Sequence, residues 1–229
     1  MVFVEQIIHS GFSENGYLHI IAGGMKGGKT KAFIDIFDLI GHTDLTFKLY
    51  KPKCDDRKEL QRDGEIPPDH IISRTGTNIE SFVINDEGPL DDLVEDLKAD
   101  DFSKQVYGFE EIFLFRNPYR LFEVIRHLKE ERGKTVVVSG LDRDFKGEPF
   151  RIMQYLMPHA TSVDKKFAIC DYSNEDKTRC REKGEYSQRI VNGVPANYKG
   201  DVILVGASEA YEARCAMHHV VPGKPKINL

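Results

Sequence analysis

The sequence predicts an α/β fold: a parallel sheet with helices on both faces, built on a phosphate-binding loop, with a small metal-held β domain after it. Three observations predict this. Gly23-Gly24-Met25-Lys26-Gly27-Gly28-Lys29-Thr30 reads G-x-x-x-x-G-K-T between an apolar strand and an amphipathic helix. Strand-like and helix-like runs alternate from there, which implies parallel strands covered on both faces. From Ala168 onward short strand-like pieces alternate with turns, and Cys170, Cys180 and Cys215 fall in this part. The expected domains are therefore residues 1–167, a phosphate-binding α/β unit, and residues 168–229, a small β unit.

Residues 1–16 form a leader whose Gly11, Ser13, Asn15 and Gly16 are turn-formers. Leu18-His19-Ile20-Ile21-Ala22 is a short apolar strand. Gly24, Gly27 and Gly28 let backbone N–H groups turn toward one anion, and the following helix points its positive end at the same anion. Phe33, Ile36, Phe37 and Ile40 recur at helical spacing, and Gly41 stands where a C-cap belongs. Leu45 to Tyr50 alternates as a strand and runs into Lys51-Pro52. The polar stretch from Asp55 to Pro68 reads as a solvated loop, except for Asp55 and Arg57. Those two sit just past a strand end, the edge at which an open α/β sheet holds its ligand.

Phe82-Val83-Ile84 is a further strand, and Leu90, Leu93, Val94 and Leu97 mark a short amphipathic helix. Val106-Tyr107-Gly108-Phe109 is a buried strand that ends in Glu110-Glu111. Leu121, Val124, Ile125 and Leu128 share one helix face that ends near Gly133. Thr135 to Ser139 is β-branched and leads into Gly140 to Phe150. In the last part Ser187–Val191 and Val202–Val205 read as strands, punctuated by Asn192-Gly193 and Lys199-Gly200.

Composition narrows the function classes. The chain has 229 residues, a hydrophobic fraction of 40% and a net charge of −5, with no basic run, so a nucleic-acid backbone is not its expected partner. No stretch approaches the ~20 apolar residues of a membrane span, and the N-terminus has no signal-peptide pattern, so the expected compartment is the cytoplasm. In a reducing compartment the four cysteines are expected free or metal-bound; Cys54 carries no assigned role.

The motifs point to phosphoryl transfer. Lys29 can reach the terminal phosphates and Thr30 can hold Mg²⁺. A strand-end acid completes such a Mg²⁺ site, and a second acid can take a proton from an attacking hydroxyl, whose pKa is far above neutrality. Glu110-Glu111 offers that pair, unless both are ordinary surface glutamates. A flat, uncharged base would suit an apolar aromatic pocket, although Phe145 and Phe150 by themselves fit core packing equally well.

These residues carry a family resemblance. The chain resembles the type II thymidine kinases of cells and large viruses from about Leu18 to Pro222. The resemblance rests on Gly23–Thr30, Lys51-Pro52-x-x-Asp55-x-Arg57 and Gly140-Leu141-Asp142-x-Asp144-Phe145-x-Gly147-Glu148-Pro149-Phe150, together with Tyr186-Ser187-x-Arg189 and Val205-Gly206-Ala207-x-x-x-Tyr211-x-x-x-Cys215. It implies a RecA-like P-loop fold with a zinc-binding lasso domain that closes over the nucleoside. It also implies transfer of the γ-phosphate of ATP, with Mg²⁺, to the 5′-hydroxyl of thymidine in nucleotide salvage for DNA synthesis. On this resemblance Glu111 is the general base and Gly23, Gly24, Met25, Lys26, Gly27, Gly28, Lys29, Thr30, Asp55, Arg57 and Glu110 bind ATP–Mg²⁺. Met25, Leu141, Phe145, Phe150, Ser187, Val202 and Tyr211 bind the nucleoside, the lasso covering roughly Arg189 to Val205. A homotetramer and feedback inhibition by dTTP are further implications of the resemblance.

The chain departs from the family pattern in three places. Glu110 replaces the usual Asp, and Ile112-Phe113-Leu114 replaces a small residue, Gln and Phe. Gly24 and Lys26 stand where Pro and Phe are common, and Lys26 adds positive charge near the phosphates. The zinc set implied by the resemblance is Cys170, Cys180, Cys215 and His218, with His219 as the alternative imidazole. Nine residues separate Cys170 from Cys180, so residues 171–177 read as an insertion, and free thiols are the competing expectation. Two other functions stay open: a P-loop kinase of another pyrimidine deoxynucleoside, motivated by Phe113-Leu114, and a non-catalytic dNTP-binding sensor, motivated by the altered acid pair.

Overall fold

The computed structural model describes residues 16–55, 66–174, 177–203 and 210–225. Arg57, most of the leader, and Val205 with its Gly206-Ala207 neighbours lie outside the described residues. Two compact units are present. The first comprises residues 1–22, 29–140 and 151–164, and the second residues 23–28, 141–150 and 165–229.

The first unit is built on a six-stranded sheet. Its strands are β1 (Tyr17–Gly23), β2 (Phe47–Pro52), β5 (Phe82–Ile84), β6 (Val106–Phe109), β7 (Thr135–Leu141) and β8 (Ser162–Lys166), in the order β5-β2-β6-β7-β1-β8. The β2–β5, β2–β6 and β6–β7 ladders are parallel, in register Tyr50↔Phe82, Leu49↔Gly108 and Gly108↔Val137. β7 is buried along its whole length, which is why it reads as a continuous Thr-Val-Val-Val run rather than an alternation. A short antiparallel pair, β3 (His70–Ile72) and β4 (Asn78–Glu80), completes the strands of this unit.

The sheet is flanked by α1 (Lys29–Ile40), α2 (Asp91–Ala99), α3 (Pro118–Arg126) and α4 (Arg151–Leu156). α1 buries Phe33, Ile34, Ile36, Phe37 and Ile40, which cluster with Ile21, Leu49, Ile71, Val106 and Val137. Gly108 makes that close approach possible: a Cβ there would sit 2.5–2.8 Å from Leu49, Phe37 and Phe33 side-chain carbons. α3 starts with Pro118 at its first position, and the Asn117 side chain accepts a hydrogen bond from Arg120 N at 3.1 Å. The face that the sequence assigns to one helix through Leu128 passes at His127–Glu131 into a π turn. Among the described residues no helix is long and apolar enough to cross a membrane.

The second unit is made of small antiparallel sheets. β9 (Ala168–Ile169) pairs with β10 (Lys183–Gly184), and β11 (Tyr186–Val191) lies between β12 (Val194–Pro195) and β13 (Ala210–Arg214). β11 and β12 are joined through Asn192 and Gly193, both at positive φ (50° and 79°), the conformation of a tight hairpin turn. The third strand of this sheet is β13; of the Val202–Val205 run, Val202 and Ile203 are exposed and belong to no strand, and Leu204 and Val205 lie outside the described residues. A β-branched run alone does not choose a partner, and the edge of β11 is taken by a five-residue ladder from Tyr186↔Arg214 to Ile190↔Ala210.

Candidate active site

The phosphate-loop motif leads from β1 into α1. Gly23 has φ 141° and a Cβ there would lie 2.0 Å from the Lys166 carbonyl oxygen, so the strand can turn at that point only without a side chain. Gly28 has φ 81°, a left-handed conformation that again suits glycine. Lys26 between them also adopts positive φ (63°). Its ammonium is 2.7 Å from Asp171 Oδ2, the same carboxylate oxygen that accepts the Ala213 amide at 2.8 Å. Burial pushes the Asp171 carboxyl up, but the Lys26 ammonium and that amide outweigh it and hold it below its ordinary range. The extra charge on the loop is thus engaged by Asp171.

Lys29 opens α1 and is buried, with only 7% of its surface exposed. Thr30 follows, and its hydroxyl donates to Glu110 Oε1 at 2.5 Å. Glu110 is fully buried and extends the β6 ladder by one bond, its amide donating to Tyr50 O at 3.0 Å. Glu111 leaves the strand: its φ of 50° and ψ of 44° are left-handed, and Ile112–Leu114 follows as one 3₁₀ turn. A non-glycine residue held in this region is strained by about 1–3 kcal/mol, and such positions gather at active sites.

At the end of β2, Asp55 is buried and lies 3.8 Å from Lys51 Nζ, which donates to His70 O at 3.0 Å. The turn is held by Asp86, whose Oδ1 accepts the Cys54 amide at 2.8 Å. Burial first, and then Asp86, push the Cys54 thiol up to about 12, so it is a poor nucleophile. Glu110, Glu111, Lys29, Thr30 and Asp55 therefore belong to the first unit, and residues 23–28 to the second.

In the second unit four consecutive residues of β11 reach four different places. Tyr186 stacks on His219, Ser187 Oγ accepts the Met25 amide at 3.0 Å, and Gln188 Oε1 accepts the Val220 amide at 2.8 Å. The Arg189 guanidinium lies 5.2 Å from the Phe145 ring centroid. Ser187, Gln188 and Arg189 are all buried. Of the sequence-assigned nucleoside residues, Met25, Phe145 and Ser187 thus gather at β11, and Tyr211 is its register partner opposite Arg189. Leu141 is buried and Phe150 half-buried at the two ends of one loop, whereas Val202 is exposed.

That loop, Leu141–Phe150, is organised by Asp144. Its carboxylate accepts the Lys146 and Glu148 amides at 2.8 and 3.0 Å, and its own amide donates to Glu148 O at 2.8 Å. Burial raises the Asp144 carboxyl above its ordinary value against the pull of those amides.

Cys170, Cys180, Cys215 and His218 place their ligand atoms within 4.8 Å of one another. His218 Nδ1 is 3.3 Å from Cys215 Sγ, and the Tyr172 ring stacks on His218 at 3.9 Å. Three sulfurs and one imidazole nitrogen converging on a point form a closed set that fits a structural zinc. The insertion between Cys170 and Cys180 closes on itself: Ser173 bridges Arg179, and Asn174 N donates to Thr178 O at 2.9 Å. A nine-residue gap therefore still brings both sulfurs to one place. Gln188, Asp86 and the loop contact of His219 carry no spacing signal, and each is found only through its contacts.

The family model described as "Thymidine kinase" matches residues 16–219. The chain is 31% identical over 222 residues to a protein named "Thymidine kinase" from Ureaplasma urealyticum serovar 10, covering 96% of this chain and 90% of that one. It is 32% identical over 213 residues to a protein of the same name from Ureaplasma parvum serovar 3, covering 93% of this chain and 86% of that one.

Proposed function

Because the chain belongs to the thymidine kinase family, we propose that it transfers the γ-phosphate of ATP to the 5′-hydroxyl of thymidine, giving dTMP for pyrimidine deoxynucleotide salvage. The observation that carries the reading is the bond between Thr30 and Glu110 at the head of α1, followed directly by the left-handed Glu111. It joins a phosphate-loop hydroxyl to a strand-end carboxylate, the two oxygen ligands that a nucleotide-bound cation needs.

The backbone amides of residues 23–28 and the α1 N-terminus bind the phosphates, and Lys29 neutralises the terminal ones. Thr30 and Glu110 would hold Mg²⁺, which when bound offsets charge on the phosphate oxygens. Asp55 and Arg57 assist on the phosphate side. Glu111 accepts the proton of the 5′-hydroxyl as the new P–O bond forms and the bond to ADP breaks. Met25, Leu141, Phe145, Phe150, Ser187, Val202 and Tyr211 contact the nucleoside, within an ATP-binding part (1–167) and a lasso part (168–229). Zinc is the metal assigned to Cys170, Cys180, Cys215 and His218. The family further supports a homotetramer, feedback inhibition by dTTP and work in the cytoplasm.

A second reading, a kinase of another pyrimidine deoxynucleoside, rests on Phe113. Its ring sits beside Gly140, 3.4 Å from where a Cβ would be, in place of the family's usual glutamine. Transfer of labelled phosphate from ATP, assayed over a nucleoside panel, tests both. Thymidine should be the best acceptor, and Glu111→Ala should slow transfer about 10²–10⁴-fold while ATP still binds. Faster turnover of deoxyuridine would favour the second reading. Nucleotide binding with no transfer by the wild type would favour a dNTP sensor.

A further inference from the structure

His219 follows the metal-ligating His218 directly, yet its ring points to a different task. It lies nearly parallel to the Tyr186 ring, with centroids 4.5 Å apart and planes 16° apart. Its Nε2 is 2.9 Å from the Phe145 carbonyl oxygen. A carbonyl only accepts, so Nε2 carries the proton and donates. On the Tyr186 side the Arg143 guanidinium lies 4.3 Å from the ring centroid. Gly147 permits this packing: a Cβ there would approach Tyr186 to 3.2 Å and His219 to 3.5 Å. One residue further on, the Val220 amide is held by buried Gln188. All of these residues lie in the second unit.

We propose that His219 is a positioning residue that ties the turn bearing Cys215 and His218 to the Leu141–Phe150 loop, so that a metal held by the four ligands sets the pose of Phe145. His218 and His219 are adjacent, so their two rings divide the labour: one faces the sulfurs, the other the loop. A bound metal fixes the turn through Cys215 and His218, and the turn fixes the Phe145 carbonyl through His219 Nε2. Without metal the turn loses the anchor at Cys215 and His218, which loosens the His219 hydrogen bond to the loop and its stack on Tyr186 together. The claim that this affects nucleoside binding rests on the thymidine kinase reading above; the tether itself does not.

Amide hydrogen exchange of residues 144–150 tests the tether in the full-length protein, comparing wild type, His219→Ala and wild type after chelation. Both His219→Ala and metal removal should speed exchange there by about tenfold, the loss of one hydrogen bond and one aromatic contact. His219→Gln, which keeps a donor, should restore part of the protection. Zinc content should stay near one per chain in both variants, and KM for thymidine should rise while KM for ATP holds. Unchanged exchange in His219→Ala overturns the proposal. So does loss of zinc from that variant, which would make His219 a ligand, and so does wild-type protein that carries no metal. If the wild type fails to phosphorylate thymidine, the kinetic arm falls with the proposed function and the exchange arm still decides the tether.

Discussion

Thr30 Oγ1 donates to Glu110 Oε1 at 2.5 Å, joining the first turn of α1 to the residue that directly follows β6. The pair shows that a glutamate at this position reaches the phosphate-loop hydroxyl.

Replacing Glu110 by Gln keeps the shape and removes the charge. A charged hydrogen-bonding partner is worth about 1.5–3 kcal/mol, so the Mg²⁺ concentration for half-maximal activity should rise about 10–100-fold. A Mg²⁺ titration of the kinase assay measures this, and an unchanged midpoint would remove Glu110 from the cation site.

Gly108 permits the contact between β6 and α1. Gly108→Ala forces a methyl against Leu49, Phe37 and Phe33. Overpacking of this kind costs about 1–3 kcal/mol, which corresponds to a Tm lowered by about 2–12 °C. Thermal unfolding by circular dichroism reads the shift; an unaltered Tm would show that the phenylalanines repack freely.

Elemental analysis of the purified chain should find about one zinc per molecule. Cys215→Ser should abolish it and expose the second unit to limited proteolysis, because so small a β unit has little core of its own. Zinc retained by Cys215→Ser would exclude that sulfur as a ligand.

Asp144→Ala should cost about 1–3 kcal/mol, because the Lys146 and Glu148 amides lose their acceptor, whereas Asp144→Asn keeps one. The raised carboxyl also sets a pH slope. The folded state holds its proton at higher pH than the unfolded chain, so the stability from this group is full at low pH. It declines as pH rises from the ordinary Asp value through the raised one. Urea unfolding at several pH values should show that slope in the wild type and its absence in Asp144→Asn.

The phosphate loop and much of the first unit were legible in the residues. Glycine spacing with Lys29 and Thr30, and the apolar period of Phe33 to Ile40, are local patterns that report local structure. The Thr-Val-Val-Val run of β7 announced a strand buried on both faces. The second unit was less legible. Val202 and Ile203 read as part of a strand because of their side chains, but pairing is decided by which edge is open, and β13 lies along β11. The excess charge at Lys26 had no sign until Asp171, 145 residues away, was seen beside it.

The sequence by itself determined that a phosphate loop and an alternating α/β chain exist, since each is written in spacing along the chain; the three-cysteine, one-histidine set was implied only by the family resemblance. Only the tertiary structure decided that Thr30 meets Glu110, that Glu111 turns left-handed, and that Cys170 and Cys180 converge despite the residues between them. Those outcomes depend on distances between residues far apart in the chain, which periodicity does not encode. It was likewise packing around Tyr186, and no motif, that turned His219 away from the sulfurs and toward Phe145.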